Sequence, residues 1–213
     1  FGNEIMTDIN QGLRYEYIGY FRNNEFHGYG LYIREDGYVY QGEFRYGKRT
    51  GYGIEINIGQ NIVYKGFFFD GLYQGYGEII QDNITVYVGG FNKGVRDGIG
   101  YTYIADSSIY IGNYENGKMN GIGTFIWKEG HRYHGEWKNN KMEGKGKFIW
   151  KTGDYYIGNY TNDLKQGQGI YYFKARNSYL RGEWVNGLKE GRFTLQSNGD
   201  VYIIYYENDK QKK

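Results

Sequence analysis

Cysteine and proline are both absent from the 213 residues. Without cysteine there is no disulfide framework and no thiolate to act as nucleophile or metal ligand, and a reducing compartment is favoured. Without proline no strand loses an amide donor, which fits one continuous antiparallel sheet. Histidine is scarce: His27, His131 and His134 are the full set. His131 and His134, three apart, fall on opposite faces of a strand, and no carboxylate cluster completes a tetrahedral set, so no metal site is expected. No run approaches the ~20 apolar residues of a membrane-crossing helix, and no signal peptide is visible. Apolar residues rarely recur at helical spacing, so the chain is expected to be all-β.

What the chain has in excess is glycine and tyrosine, and both recur at a fixed interval. Tyr17, Tyr40, Tyr64, Tyr87, Tyr110, Tyr133 and Tyr156 mark seven unit starts, 23 or 24 residues apart, and Leu180 marks an eighth. Two residues on stands a glycine (Gly19, Gly42, Gly66, Gly89, Gly112, Gly135, Gly158, Gly182), and two further an aromatic (Phe21, Phe44, Phe68, Phe91, Tyr114, Trp137, Tyr160, Trp184). On a strand these three side chains share a face, and the glycine leaves room for a ring to lie over the backbone. A second pair, such as Gly28 and Gly30, opens another run of β-formers, so each unit is a hairpin.

The turn supports this. Seven residues after each start stand Asn24, Gly47, Gly71, Gly94, Gly117, Asn140, Asp163 and Gly187, all of them residues that take a left-handed backbone readily. Asp36-Gly37, Glu129-Gly130, Thr152-Gly153 and Asn198-Gly199 read as turns between units, and residues 58–61, 82–83 and 106–108 as looser connectors. Eight hairpins at about 4.8 Å per strand give an elongated, single-layer, twisted sheet roughly 75 Å long. Such a sheet has no deep core. Its aromatics must stack along the ribbon, which reconciles 20 % aromatic content with a mean hydropathy of −0.77.

No catalytic constellation emerges. Gly-x-Gly occurs seven times without the third glycine and helix of a dinucleotide fingerprint, and Gly144-Lys145-Gly146-Lys147 lacks the remainder of a phosphate loop. Asn83-Ile84-Thr85 and Asn159-Tyr160-Thr161 match the glycosylation tripeptide, which chance explains in so asparagine-rich a chain. Between Ile126 and Lys151 seven basic residues face three acidic ones, a local charge of +4 against +2 for the whole chain. That segment could attract anionic lipid. Lysines also keep exposed sheets soluble and unpaired, which accounts for them equally well. Nucleic acid is not expected, since the aromatics are periodic for packing rather than interleaved with arginine.

Tyr-x-Gly-x-aromatic followed by Gly-x-Gly, at this period, resembles the MORN repeat (membrane occupation and recognition nexus) over about residues 17 to 206. Residues 1–16 then read as a degenerate or partial repeat with more chain expected upstream. Residues 17–201 read as eight hairpin repeats, and 202–213 as a degenerate cap with a charged tail. Leu180 in place of tyrosine and Phe193 in place of glycine read as the atypical edge that a terminal repeat needs. The resemblance implies a non-catalytic, cofactor-free scaffold in a larger protein assembly. The family's recurrence in radial spoke heads and parasite cytoskeletons, with the AT-rich codon bias of Ile, Asn, Lys, Tyr and Phe, points to a cilium, axoneme or other cytoskeletal structure in the cytoplasm. An aromatic groove including Tyr110, Tyr114, Tyr133, Trp137, Tyr156 and Tyr160 would bind the partner, and an open sheet edge leaves a homodimer open. One alternative is a peripheral membrane tether through Lys138, Lys141, Lys145, Lys147 and Lys151. Another is a regulatory array of an enzyme whose catalytic domain lies outside these residues.

Overall fold

The computed structural model describes residues 1–7 and 12–212, so part of the 1–16 segment expected to be a partial repeat lies outside the described residues. The chain forms two units, Phe1–Tyr103 and Ile104–Lys213. The first holds β1 (Gly2–Thr7), β2 (Arg14–Arg22), β3 (Glu25–Arg34), β4 (Tyr38–Arg45), β5 (Lys48–Asn57), β6 (Ile62–Phe69), β7 (Leu72–Gln81), β8 (Ile84–Asn92) and β9 (Val95–Tyr103). The second holds β10 (Ile109–Glu115), β11 (Lys118–Ile126), β12 (Arg132–Lys138), β13 (Lys141–Ile149), β14 (Tyr155–Thr161), β15 (Leu164–Phe173), β16 (Ser178–Val185), β17 (Leu188–Ser197), β18 (Asp200–Glu207) and β19 (Lys210–Gln211). Within each unit every strand pairs antiparallel with its chain neighbours. Among the described residues the only helical turns are 3-10 turns at Ile58–Gln60 and Lys174–Arg176.

Each repeat is a hairpin closed by two residues, and both take positive φ, as in a type I′ turn. Asn23 and Asn24 lie at φ 52° and 61°, Tyr46 and Gly47 at 51° and 70°, Lys93 and Gly94 at 49° and 85°. The second position was legible in the sequence; the first was not, because tyrosine and lysine share it with asparagine and aspartate. Between repeats, Asp82 and Asn83 form the same tight turn, not the loose connector expected. Glu129-Gly130 and Thr152-Gly153 instead sit within five-residue loops, closed by Trp127 N–H to His131 O and Trp150 N–H to Asp154 O, both 2.9 Å.

The glycines divide the work. In the first repeat Gly19 pairs with Gly30 and Tyr20 with His27, leaving Gly28 and Tyr29 as a bulge on β3, with Gly28 at φ 66°. Gly30 keeps its space for the ring of Tyr17: a Cβ there would stand 2.5 Å from the tyrosine oxygen, and one on Gly19 would stand 2.4 Å away. The ring over the glycines is thus the start tyrosine itself. Its hydroxyl donates to the carbonyl three residues on, as in Tyr17 to Tyr20 O at 3.0 Å and Tyr133 to Glu136 O at 3.0 Å. The aromatic two positions past the glycine meets that ring edge-on, and so does its counterpart in the next repeat. Tyr40, for example, touches Phe44 and Phe68, each at 5.1 Å. Backbone bonds join successive repeats too: the second turn residue donates to the repeat before it, as in Gly47 to Phe26 O and Asp163 to Met142 O, both 3.0 Å.

In the eighth repeat Leu180 and Phe193, read from the sequence as an atypical terminal edge, rebuild the packing of the other repeats. Phe193 is fully buried, and its ring lies over Gly182, 2.4 Å from where a Cβ would be. It touches Trp184 at 4.9 Å and Tyr206 at 5.1 Å, the contacts a start tyrosine makes elsewhere. The ring comes from the opposite strand, and leucine replaces tyrosine because the two rings would compete for one space. Phe193→Gly alone should cost about 3 kcal/mol or more, and Leu180→Tyr alone should also destabilise by overpacking. Together they restore the arrangement of the other repeats and should return stability to within about 1.5 kcal/mol of the starting chain, measured by a double-mutant cycle in denaturant. Additive losses would refute the exchange.

Candidate functional site

The six aromatics expected to bind a partner are packed in the interior layer. Tyr110, Tyr133 and Tyr156 are fully buried, and Tyr114, Trp137 and Tyr160 are at most 6 % exposed. Trp137 lies 5.6 Å from Tyr110 and 5.2 Å from Tyr133, and its Nε1–H donates to Gly123 O at 3.2 Å. The structure brings the six together as the floor of the tyrosine face, without an open edge. Their periodicity follows from packing on glycine, and truncating Trp137 would open the floor.

Two columns the sequence reading missed are partly open on that face, except at buried Thr102. Nine residues after each start stand Phe26, Arg49, Tyr73, Arg96, Met119, Met142, Lys165 and Lys189; fifteen after stand Tyr32, Glu55, Ile79, Thr102, Phe125, Phe148, Tyr171 and Leu195. The first column covers the flat side of the start tyrosine. Phe26 stacks on Tyr17 at 3.8 Å, Tyr73 stacks on Tyr64 at 3.7 Å, and Arg49 lies over Tyr40 at 5.8 Å. The second lies directly across from each start, as in Tyr17 with Tyr32 and Tyr40 with Glu55. Within each unit the columns flank a groove.

In the first unit this groove holds a cavity of about 750 Å³ whose lining includes Tyr15, Phe26, Tyr32, Arg34, Lys48 and Arg49. Glu55 organises its wall. Its carboxylate accepts from the Tyr38 hydroxyl at 2.8 Å and the Tyr73 hydroxyl at 2.6 Å, and it pairs with Arg49. Arg49 also donates to Gly71 O at 2.6 Å. Burial drives the Tyr38 and Tyr73 hydroxyls well above the ordinary tyrosine range, and their bonds to Glu55 push the same way.

In the second unit the first column runs from apolar Met119 and Met142 to basic Lys165 and Lys189. The facing wall is a chain of rings. Phe125–Trp127, Trp127–Phe148, Phe148–Trp150, Trp150–Tyr171 and Tyr171–Phe173 have centroids 4.5, 5.3, 4.7, 5.1 and 4.6 Å apart.

The lysines expected to meet lipid lie elsewhere. Lys138 pairs with Lys141, and Lys147 with His134, on the face opposite the tyrosines; Lys145 shares that face. Lys138, Lys141 and Lys145 are exposed, whereas half-buried Lys147 covers the Tyr155 ring at 4.3 Å. Lys151 sits in a connecting loop, where its N–H donates to His131 Nδ1 at 3.2 Å. His134 Nδ1 bonds the Thr124 hydroxyl at 2.8 Å, so the two histidines are separately engaged. Among the described residues no cluster of metal-ligating side chains occurs. Tyr29, Tyr52 and Tyr76 are more than half exposed on the face opposite the tyrosine column.

Residues 17–37, 40–56, 64–82, 87–108, 110–132, 133–155, 156–177 and 181–192 match the MORN repeat, and the chain belongs to this family. The repeat is a non-catalytic module for protein interaction or membrane association. No curated protein sequence matches the chain. Among solved structures it is similar to the G-box domain of the microcephaly protein CPAP, at 11 % identity and TM-score 0.39, covering 97 % of this chain and all of that one. It is also similar to the TCP10c domain of Drosophila melanogaster Sas-4, at 9 % identity and TM-score 0.36, again covering 97 % of this chain and all of that one. A likeness at this level carries no functional inference. No helix among the described residues is long and apolar enough to cross a membrane.

The buried tyrosines give the fold a pH limit. Burial raises the Tyr156 hydroxyl to about 12, and it raises Tyr40, Tyr64, Tyr110 and Tyr133 as well. The folded state therefore favours the protonated form. That stability is fully present below pH 10, the ordinary tyrosine value, and is lost as pH rises from there through the folded values. Thermal midpoints should be flat up to about pH 10 and fall steeply above it, with tyrosinate absorbance rising together with loss of the β-sheet signal. Ionisation of these residues completed while the sheet signal stays intact would contradict their burial.

Proposed function

We propose that this protein is a non-catalytic scaffold that holds a segment of a partner protein in the groove of its tyrosine face. The observation that carries the reading is the division of labour within the repeat. The fixed Tyr, Gly and aromatic positions are buried by packing, while members of the two columns that vary from repeat to repeat border open space, Phe26, Tyr32, Arg49 and Glu55 in the first unit and Lys165, Tyr171 and Lys189 in the second. Residues held in place by a sheet offer contact area at little ordering cost on binding. The family's recurrence in radial spoke heads and other cytoskeletal assemblies supports a place in a ciliary, axonemal or related cytoskeletal structure.

A second reading, a peripheral membrane tether, has one observation in its favour: four of the five lysines share one face of β12 and β13. Against strong attachment, Glu136 and Glu143 lie on the same face, and Lys147 is half-buried against Tyr155.

The two readings use opposite faces, so paired variants separate them. Met119→Glu with Met142→Glu charges the groove; Lys138→Glu with Lys145→Glu inverts the opposite face. Captured from its own cells as the tagged full chain, the groove variant should lose salt-resistant protein partners about tenfold while the lysine variant keeps them. Circular dichroism must show both variants folded. Partners kept by the groove variant, with binding to phosphatidylserine vesicles that disappears in the lysine variant and at high salt, would replace the scaffold with the tether.

A further inference from the structure

The second unit carries a cation with no ion pair of its own in a place where the first unit supplies one. Lys165 stands nine residues after Tyr156, and Arg49 stands nine after Tyr40. Arg49 is answered from across the groove by Glu55, fifteen after the same start, which also takes the hydroxyls of Tyr38 and Tyr73. In the Lys165 repeat the residue fifteen after the start is Tyr171. Lys165 makes no ion pair or side-chain hydrogen bond among the described residues. Its ammonium is held instead among Trp150, Tyr156 and Tyr171, at 5.1, 5.2 and 5.5 Å from their centroids. The cavity of about 260 Å³ that it lines is walled by Phe173, Leu180 and Trp184. Asp209, the carboxylate on the same cavity, attracts Lys165 from a distance but forms its ion pair with Lys189, whose Nζ lies at 3.2 Å and whose N–H lies at 2.8 Å, so one carboxylate is shared between two ammonium groups.

We infer that Lys165 reads a carboxylate of the bound partner segment, an Asp or Glu lying about 10 Å along the groove from an apolar side chain seated over Met142. The distance is one repeat, two strands at about 4.8 Å each. It is spanned by about three residues of extended chain or about seven of helix. The partner's carboxylate takes the role that Glu55 plays for Arg49. Burial already lowers the proton affinity of Lys165, and an arriving anion relieves that penalty. This inference rests on the groove reading above and adds the chemistry of the occupant.

The test uses the full chain and fluorescein-labelled peptides carrying a leucine three or seven residues before a glutamate, with matched peptides holding glutamine or lysine at the glutamate position. Fluorescence anisotropy should show a glutamate peptide binding about tenfold tighter than its glutamine partner, and the lysine peptide weakest. Lys165→Met keeps the volume of the side chain and should erase the difference while the glutamine peptide still binds. Tyr171→Glu, which places a carboxylate where Glu55 stands in its own repeat, should erase it too. Equal binding of glutamate and glutamine peptides, or a preference that survives Lys165→Met, overturns the role of Lys165 and leaves the groove standing. If no peptide of any kind binds, groove and inference fall together.

Discussion

A tyrosine ring lying flat on two glycines is the contact on which everything else in this protein depends. A single-layer sheet cannot bury side chains against a second layer, so it must bury them on its own backbone. Paired glycines, Gly19 with Gly30 or Gly135 with Gly146, remove the Cβ atoms that would hold a ring away, and the ring then covers main chain. The hydroxyl finds the carbonyl three residues on, so a polar atom can sit at the bottom of the layer without being orphaned. The edge-on aromatic passes the contact to the next repeat. A large residue at either glycine would be ruinous, and a smaller one at the tyrosine would leave a void; Leu180 and Phe193 show the one exchange that avoids both.

Much of this was legible because the constraint is periodic. Spacing alone gave the hairpin, the shared face of Tyr17, Gly19 and Phe21, the ring over glycine, and the left-handed turn residue at Asn24, Gly47 and their equivalents. What escaped was whatever the period does not force. Tyr46 and Lys93 take positive φ because the residue after each is glycine and the hairpin twist demands a type I′ turn; neither residue type advertises it. The first glycine of each Gly-x-Gly looked like a partner of the second, yet Gly28 makes a bulge while Gly30 seats a ring. Phe193 could not be recognised as a displaced tyrosine, because that requires knowing which strand faces Gly182.

The candidate site escaped for the opposite reason. Attention to the repeated aromatics selected the residues most completely used by the fold. In a repeat protein the invariant positions are those the architecture consumes, so a binding surface is better sought among positions that face the same way and vary. Aligning the repeats by their starts exposes such a column nine residues on. Every member is long, yet the column passes from Phe26 through Arg49 and Met142 to Lys165. Length is what covers the tyrosine ring; charge is free to change. That freedom lets one position serve folding and recognition together, since the cationic ends of Arg49 and Lys165 lie over the ring of the start tyrosine and also border the groove.

The two units show what that freedom does to a shared frame. Where Glu55 answers Arg49, the groove wall is closed by an internal network of two tyrosine hydroxyls, a carboxylate and a guanidinium. A half-buried carboxylate there is tolerable because two tyrosine hydroxyls and a guanidinium are directed at it. Where the same column carries Lys165 against Tyr171, the cation leans on aromatic faces and on the more distant Asp209, which Lys189 already pairs, a weaker solvation than water or a carboxylate of its own provides. A chain that neutralises a buried cation in one repeat has the means to do so in another, at the cost of a single Glu in place of Tyr171. Leaving it without an ion pair of its own keeps a favourable interaction in reserve for a bound anion, so the frame that makes every repeat alike also makes the difference between Arg49 and Lys165 conspicuous.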